Sequence, residues 1–350
     1  MVLTFERSER YIMITRRQTL KAIAAGAVVG LSGNKRLASR DRSNYRLPPH
    51  IINDKMELQS VNLWNIPTEI FNPIWEKVTG RRVKLGIVDT GIANHSLLKK
   101  PRAIKNFSTN ATARDGNGHG THVASIATGR NGFGVAPDAE LYIAKALSDN
   151  GFGSGEDVIA AVKWLREQKV DVINMSLGMP TGDDGLRDEI RKAEKEGIIV
   201  IVAAGNEGQR PVRDTTGFPA RYDDCTIAVA ATKGPWASQQ IADFSSSGPC
   251  VDVAAPGESI IGASIDGPTK LVSLSGTSMA SPYVAGLICL KIELDRKLGK
   301  PRRDSVEEII SDIRLATKDK GAPGADRVWG HGLIQPSRLL SDELPRRFFR

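Results

Sequence analysis

The chain has 350 residues, of which 40% are hydrophobic and 25% charged, so it is long and apolar enough to bury one substantial core. Its formal net charge is +8, but residues 1–40 carry a net +6 and the remainder only +2. The body therefore lacks the basic excess typical of nucleic-acid binding, and we expect no nucleic-acid partner. The sequence contains neither a His-Glu-x-x-His motif nor a Cys-x-x-Cys pair, which argues against a metal-centred hydrolase.

The N-terminal segment has the pattern of an export signal. Arg16 and Arg17 precede an apolar run at 22–31, which is too short to span a bilayer as a helix. The arginine pair resembles a twin-arginine signal, and an ordinary secretory signal is the alternative. We therefore expect an exported protein, extracellular or in the cell envelope, that contacts the membrane in transit; an uncleaved, anchoring leader is a second alternative. The predicted parts are a leader at 1–38, a short pro- or linker segment at 39–60, one main domain at 61–341 and a basic tail at 342–350.

The main domain alternates short apolar runs with helical patterns, which is typical of a parallel sheet covered by helices. Strands are predicted at 83–88, 141–147, 170–176, 198–203, 226–231 and 251–255. Helices are predicted near 120–128, 155–168, 185–196, 278–297 and 304–316. We therefore expect an α/β fold with a doubly wound, mostly parallel sheet and helices on both of its faces.

Three polar residues occur where such a fold gathers functional groups. Asp89 follows the strand 83–88, at the carboxyl edge of the predicted sheet. His119 lies in the glycine-rich entry to an apolar helix, and Ser278 lies in the run Gly-Thr-Ser-Met-Ala-Ser-Pro at 276–282 that starts another. Taken alone, that run is equally well a capped helix start. An acid, a histidine and a serine in this chain order are, however, one of the orders known for triad hydrolases.

A fourth motif follows the apolar run 198–203, where Asn206 lies in the sequence Ala-Gly-Asn-Glu-Gly. Asparagine after a strand is most often a turn former. Together with the other three motifs, however, it makes the chain resemble the subtilisin-like serine proteases over about residues 64–340.

The resemblance implies a serine endopeptidase that works through an acyl-enzyme. Ser278 would attack the peptide carbonyl, His119 would take its proton, and Asp89 would orient the imidazole. The Asn206 side-chain amide and the Ser278 backbone N–H would hold the oxyanion. The ordinary pKa of imidazole, about 6.5, suits such a base near neutral pH.

The same resemblance implies where a protein or peptide substrate would lie. Two segments would bracket its extended backbone as an added strand: Gly151, Phe152, Gly153 and Ser176, Leu177, Gly178. The P1 residue, which precedes the scissile bond, would enter a pocket walled by Ala203, Ala204 and Gly205 with Gly217 as its floor. These small residues predict a preference for large apolar P1 residues, with some tolerance of lysine through Glu207 at the rim. We expect the enzyme to be a monomer.

The chain departs from the family pattern at the usual high-affinity calcium site. The insertion that builds that site is missing after Gly129, and Leu97 replaces an acidic ligand. Asp252 matches a weaker cation position, but one carboxylate is a small ligand set for calcium. We therefore predict no cofactor and no metal, with a weak calcium site near Asp252 as the open alternative.

Three cysteines cannot all pair. Cys225 and Cys250 precede two predicted strands that should be neighbours, and an oxidising compartment would favour a disulfide between them. Buried free thiols at both positions are the alternative. Cys289 lies among apolar helix residues and is predicted to be reduced and buried. Among the other histidines, His122 is predicted to be a packed core residue.

Two other functions fit parts of the pattern. An inactive homologue could keep the fold and act as a binding protein, although all four motif residues argue against it. A lipase or esterase would need the motif Gly-x-Ser-x-Gly, and here Ala280 stands in place of its last glycine.

Overall fold

The computed structural model describes residues 44–46, 51–57, 63–208, 213–300 and 306–341. The predicted leader and the predicted basic tail both lie outside these residues. Within the described part, no helix combines the length and the apolar character needed to cross a membrane.

The strands and helices follow one another along the chain as the alternating sequence pattern predicts. In chain order the strands are β1 (Asn44–Arg46), β2 (Ile51–Glu57), β3 (Lys84–Asp89), β4 (Ala103–Asn106), β5 (Glu140–Lys145), β6 (Phe152–Ser154), β7 (Val172–Met175), β8 (Ile199–Ala203), β9 (Ile227–Lys233), β10 (Gln240–Ile241), β11 (Val253–Pro256), β12 (Ile260–Ala263), β13 (Lys270–Ser275), β14 (Thr317–Lys318) and β15 (Leu333–Ile334). The helices are α1 (Thr68–Lys77), α2 (His119–Thr128), α3 (Gly155–Glu167), α4 (Asp184–Lys195), α5 (Thr277–Lys297), α6 (Val306–Ala316) and α7 (Pro336–Leu339).

The central sheet is mostly parallel and has the strand order β14-β15-β11-β9-β8-β7-β3-β5-β4, with β10 also paired to β9. The pairs from β15 to β4 are parallel, whereas β14 and β10 run antiparallel to their neighbours. After β3, the chain builds β4 and β5 on one side of it and the remaining strands of this sheet on the other. The strand order therefore reverses at β3, and in open α/β sheets such a reversal places a binding crevice at the carboxyl ends.

Both faces of the sheet are covered by helices, which confirms the predicted α/β fold. On β8, Ile199 and Ile201 face the side covered by α1, α2, α5 and α6, whereas Val200 and Val202 face α3 and α4. All four side chains are buried. This burial on both faces explains why the run 198–203 is continuously apolar rather than alternating. Each such side chain contributes about 1.5–3 kcal/mol of transfer free energy on burial.

Helix α5 runs through the interior and positions the serine at its start. It packs against β7, β8, β9 and β11, and its residues are buried from Thr277 through Leu290. Small residues allow this close approach. A Cβ at Gly286 would lie 2.7 Å from the Cβ of Val135, nearer than two carbon atoms can pack.

Several elements have no clear signal in the sequence. Helix α1 is preceded by Pro67 and contains Pro73, which disfavours a helix prediction, yet Phe71 and Ile74 bury its inner face. Within the segment 39–60, β1 pairs antiparallel with β6, and β2 pairs antiparallel with β13. The compact unit of the described residues thus begins before residue 61.

The predicted Cys225–Cys250 disulfide is wrong, because the three cysteines are free thiols. Cys225 lies in the helical turn after Tyr222 and packs into the apolar cluster under α4. Cys250 lies in the turn from Gly248 to Val251, before β11 begins, so the two residues do not meet as strand neighbours. Burial raises the pKa of the Cys225 thiol to about 12 and that of Cys250 to about 11. Cys289 is buried and reduced, as predicted.

Candidate active site

Asp89 and His119 form a buried acid–imidazole pair at the carboxyl edge of the sheet. Asp89 ends β3, and His119 is the first residue of α2. The His119 Nδ1 atom lies 2.9 Å from Oδ1 and 3.0 Å from Oδ2 of Asp89. Carboxylate oxygens only accept hydrogen bonds, so Nδ1 carries the ring proton and Nε2 is the basic nitrogen. The Thr90 N–H also donates to Asp89 Oδ1, at 2.7 Å, which holds the carboxylate in place.

Ser278 occupies the second position of α5, and this helix packs against the helix that carries His119. The Asp89, His119 and Ser278 residues are at most 1% exposed. The Ser278 Oγ donates to the backbone carbonyl of Ser176 at 3.3 Å. The Ser176 hydroxyl in turn bonds the Ser278 carbonyl at 3.0 Å and the Ser281 hydroxyl at 2.8 Å. Ser176, predicted to contact substrate through its backbone, therefore also braces the first turn of this helix through its side chain.

Asn206 is held beside the same helix start by its side-chain oxygen. The Oδ1 atom accepts from both the N–H and the hydroxyl of Thr277, each at 2.9 Å. The amide Nδ2 is therefore the donor end that faces away from Thr277. A Cβ at residue 276 would lie 3.2 Å from this Nδ2, so a glycine there keeps the space beside the amide open.

Asp115 is a supporting residue that the sequence reasoning missed. Its buried Oδ2 accepts from the N–H and the hydroxyl of Thr121, at 2.8 and 2.6 Å. Its Oδ1 accepts from the Thr90 hydroxyl at 2.9 Å and from the Gly118 N–H at 2.8 Å. Asp115 thus ties the loop after Asp89 to the first turn of the His119 helix. In the sequence Asp-Gly-Asn-Gly, such a residue looks like an ordinary turn former.

A cavity of about 420 Å³ is lined by the residues on either side of Asn206, namely Gly205 and Glu207. Its lining includes the residues predicted for the pocket wall and floor, namely Ala203, Ala204, Gly205 and Gly217, together with Leu177 and Gly178. The Gly205 N–H donates to the Thr277 hydroxyl at 3.1 Å, which links this wall to the nucleophile helix. The same cavity is lined by Glu207, Arg213, Asp214 and Arg221, so it is more highly charged than the sequence reasoning predicted.

The predicted substrate segment at 151–153 is already paired with an extended strand. Strand β6 pairs antiparallel with β1, with Phe152 opposite Arg46 and Gly153 opposite Tyr45. A Cβ at Gly153 would lie 2.3 Å from the Ala146 carbonyl oxygen, so only glycine fits there. The segment at Gly151, Phe152 and Gly153 therefore has a backbone geometry that accepts an added antiparallel strand.

Leu97 and Asp252 occupy the two positions that the family resemblance associates with cations. Leu97 is buried in an apolar cluster with Phe133, Ala263 and Leu271. Within the described ranges, no group of three or more His, Cys, Asp or Glu residues could hold a metal ion. Asp252 accepts from the Ala228 N–H at 2.7 Å, and burial raises the pKa of its carboxyl to about 7.

His122 and His95 both have surroundings that indicate a structural role. His122 is fully buried, with Nε2 3.1 Å from the Ile260 carbonyl and 3.2 Å from that of Val272, which confirms it as a core residue. The Nε2 of His95 lies 2.8 Å from the Lys270 carbonyl, and burial lowers the pKa of this ring.

A buried acid–imidazole pair, a serine at a helix N-terminus and an amide donor beside it form the arrangement used by serine hydrolases on α/β sheets. Comparison with known protein families identifies the family within this class of serine hydrolases. The model of the subtilase family of peptidases matches residues 80–332, which is most of the chain. The chain therefore belongs to the subtilase family, and the predicted family is confirmed.

Several curated proteins are similar to this chain. The minor extracellular protease Epr of Bacillus subtilis (strain 168) is 33% identical over 285 residues, which cover 80% of this chain and 42% of Epr. Subtilisin DY of Bacillus licheniformis is 42% identical over 216 residues, or 60% of this chain and 77% of that protein. A thermostable alkaline protease of Halalkalibacterium halodurans is 38% identical over 267 residues, or 75% of this chain and 68% of that protein. The chain thus spans less than half of Epr.

Proposed function

We propose that this protein is an exported serine endopeptidase that hydrolyses proteins or peptides through Ser278, His119 and Asp89. The observation that carries the proposal is the bond from His119 Nδ1 to both Asp89 oxygens, which leaves Nε2 as the basic nitrogen. Export is supported by the arginine pair and apolar run near the N-terminus and by the extracellular relative. We propose a monomer that needs no cofactor, in which any calcium binds weakly near Asp252.

The proposed reaction proceeds in two halves. The His119 Nε2 takes the proton of the Ser278 hydroxyl as its oxygen attacks the peptide carbonyl carbon. Asp89 stabilises the resulting imidazolium through the Nδ1–H bond. The carbonyl oxygen gains negative charge, which the Asn206 amide and the Ser278 N–H stabilise. His119 then gives its proton to the leaving amine, and water repeats the sequence on the acyl-enzyme.

A choice of substrates separates this proposal from its alternatives. The proposed endopeptidase cleaves casein and peptide amides. An esterase of this chain would hydrolyse short-chain esters but leave peptide amides intact, and an inactive binding protein would hydrolyse neither. Release of casein fragments by the purified full chain, measured beside short-chain ester hydrolysis, decides among the three.

The pocket geometry supports large uncharged P1 residues such as Phe, Tyr, Leu and Met. Gly217 lies at the cavity lining, and a Cβ there would lie 3.3 Å from the Met179 carbonyl oxygen. Replacing Gly217 by Val should therefore fill the pocket and lower kcat/KM for Phe at P1 by about 100-fold relative to Ala at P1, because the larger ring loses its space. A series of peptide amides that differ only at P1 measures this ratio. An unchanged Phe-to-Ala ratio in Gly217→Val would show that Gly217 does not form the P1 pocket.

We also propose that residues 39–60 act as a pro-segment that competes with substrate. The support is positional: β1 pairs with β6, the strand proposed to bind the substrate backbone. Strand β2 pairs with β13 up to Ser275, three residues before Ser278, with Ile51 opposite Ser275. Strands β1 and β2 therefore pair with the proposed substrate strand and with the strand that leads to the proposed nucleophile.

Proline in β1 should weaken this competition, because it cannot donate a backbone hydrogen bond to a neighbouring strand. The experiment uses protein in which mass spectrometry has shown that residues 39–60 are still present. In this protein, the double change Tyr45→Pro and Arg46→Pro should raise kcat/KM for a peptide amide about tenfold. The matched control is Tyr45→Ala with Arg46→Ala, which keeps both N–H groups. Equal activity in the proline and alanine variants would exclude competition by β1.

A further inference from the structure

The cavity proposed as the P1 pocket contains four charged side chains. Glu207 and Asp214 are acidic, and Arg213 and Arg221 are basic. Two carboxylates in a pocket for the P1 side chain would normally select lysine or arginine, because a buried cation finds its counter-charge there. The arrangement of these four groups therefore decides what the pocket accepts.

Asp214 lines the cavity and is held in place by Thr216, the residue before Gly217. Its Oδ1 accepts from the N–H and the hydroxyl of Thr216, at 3.0 and 2.6 Å. Its carboxylate also packs over Gly248, where a Cβ would lie 2.2 Å from Oδ1. These contacts leave Oδ2 as the oxygen that meets a cation.

Arg221 supplies that cation from the same pocket wall. Its Nη2 lies 3.1 Å from Asp214 Oδ2, and the two side chains are only 33% and 26% exposed. The guanidinium carbon lies 5.6 Å from the centre of the Phe218 ring, so the aromatic face orients the group. Arg221 thus pairs with the Asp214 carboxylate, which a P1 lysine would otherwise bind.

Glu207 lines the cavity beside Gly205. The Ser246 hydroxyl donates to its Oε2 at 2.9 Å, and a Cβ at Gly205 would lie 2.5 Å from the same oxygen. Arg213 is exposed at the cavity edge. The four groups carry two negative and two positive charges, and Arg221 forms an ion pair with Asp214.

We propose that Arg221 is a specificity-determining residue, which neutralises Asp214 and so keeps a pocket with two carboxylates selective for uncharged P1 side chains. The inference rests on the proposed peptidase function and on the assignment of this cavity as the P1 pocket. Removal of the two members of the ion pair should change the P1 preference in opposite directions. Loss of Arg221 should favour basic P1 residues, and loss of the Asp214 charge should favour acidic ones.

The test uses peptide amides that differ only in Phe, Lys or Glu at P1. In Arg221→Gln, the ratio of kcat/KM for Lys to that for Phe should rise about tenfold, because Asp214 can then pair with the substrate. In Asp214→Asn, the Glu-to-Phe ratio should rise instead, since Arg221 is released. The double variant should return both ratios to near the wild-type values. The gain for lysine should shrink in 1 M salt, which screens partly exposed charges.

The matched control is Arg102→Gln, which removes an arginine from another ion pair, Arg102–Glu140, at a different cavity. It should leave both ratios unchanged. Wild-type hydrolysis of the Phe substrate tests the proposed function separately, so inactivity there would not be confused with failure of this inference. If Arg221→Gln and Asp214→Asn both cleave the Phe substrate and keep wild-type ratios, the role of Arg221 is overturned. If Arg221→Gln does not fold, the Asp214→Asn ratio alone decides.

Discussion

Replacing Ser278 by Ala should abolish peptidase activity while leaving the fold intact. The Ser278 hydroxyl donates a long hydrogen bond, 3.3 Å to the Ser176 carbonyl, and loss of such a bond costs little stability. The expected loss in kcat is on the order of the millionfold drop that subtilisin itself shows when its nucleophile is removed. The measurement is kcat for a peptide amide with Phe at P1, with the thermal melting temperature as the check on folding.

His119→Ala should lose activity to about the same extent, and the double variant should be no worse than either single one. The reason is that the base and the nucleophile act as one unit, so their losses do not add. Ser341→Ala removes a serine near the end of the described chain and is the matched control, with unchanged kcat. A Ser278→Ala protein that keeps more than a few per cent of wild-type kcat would disprove Ser278 as the nucleophile.

Asn206→Ala should give the second-largest loss, about 100- to 1,000-fold in kcat, the range known for the corresponding donor of subtilisin. KM should change little, because the amide is expected to act on the charged transition state rather than on bound substrate. Asn206→Asp is a stricter test, since a carboxylate at that place would repel the oxyanion.

The structural part of this loss needs its own control. Asn206 Oδ1 accepts two hydrogen bonds from Thr277, and alanine leaves both donors without this acceptor. Thr277→Val removes the hydroxyl that donates to Asn206 Oδ1 and accepts from the Gly205 N–H, but it keeps the Asn206 amide, so it measures the effect of a disturbed helix start and pocket wall. If Thr277→Val lowers kcat as much as Asn206→Ala, the amide has no separate role in catalysis.

The sequence predicts the sheet correctly, and it draws attention to the four motif residues for a physical reason. Strands buried on both faces are continuous apolar runs, and their carboxyl ends meet at one edge, so a polar residue just after such a run is readily noticed. Asp89 at the end of β3 and Asn206 shortly after β8 are of this kind. Ser278 is found because its helix is apolar from the first turn.

What the sequence does not predict depends on contacts between distant residues. Strand β2 pairs with β13, more than 200 residues away, and its own sequence lacks an alternating pattern. The Arg221–Asp214 pair lies within one loop, but spacing in an irregular segment does not predict an ion pair. The disulfide prediction failed for a related reason: the sequence placed Cys250 at a strand start, whereas the structure places it in a turn.

Activation of Ser278 by His119 and Asp89 is tested most directly by labelling the folded protein with a fluorophosphonate. This reagent phosphonylates a serine that a neighbouring base has activated. Peptide mapping by mass spectrometry should find one adduct per chain, on the peptide that contains Ser278, and His119→Ala should abolish it. A protein that cleaves peptide amides while Ser278 stays unlabelled, or that is labelled equally well without His119, would contradict the account.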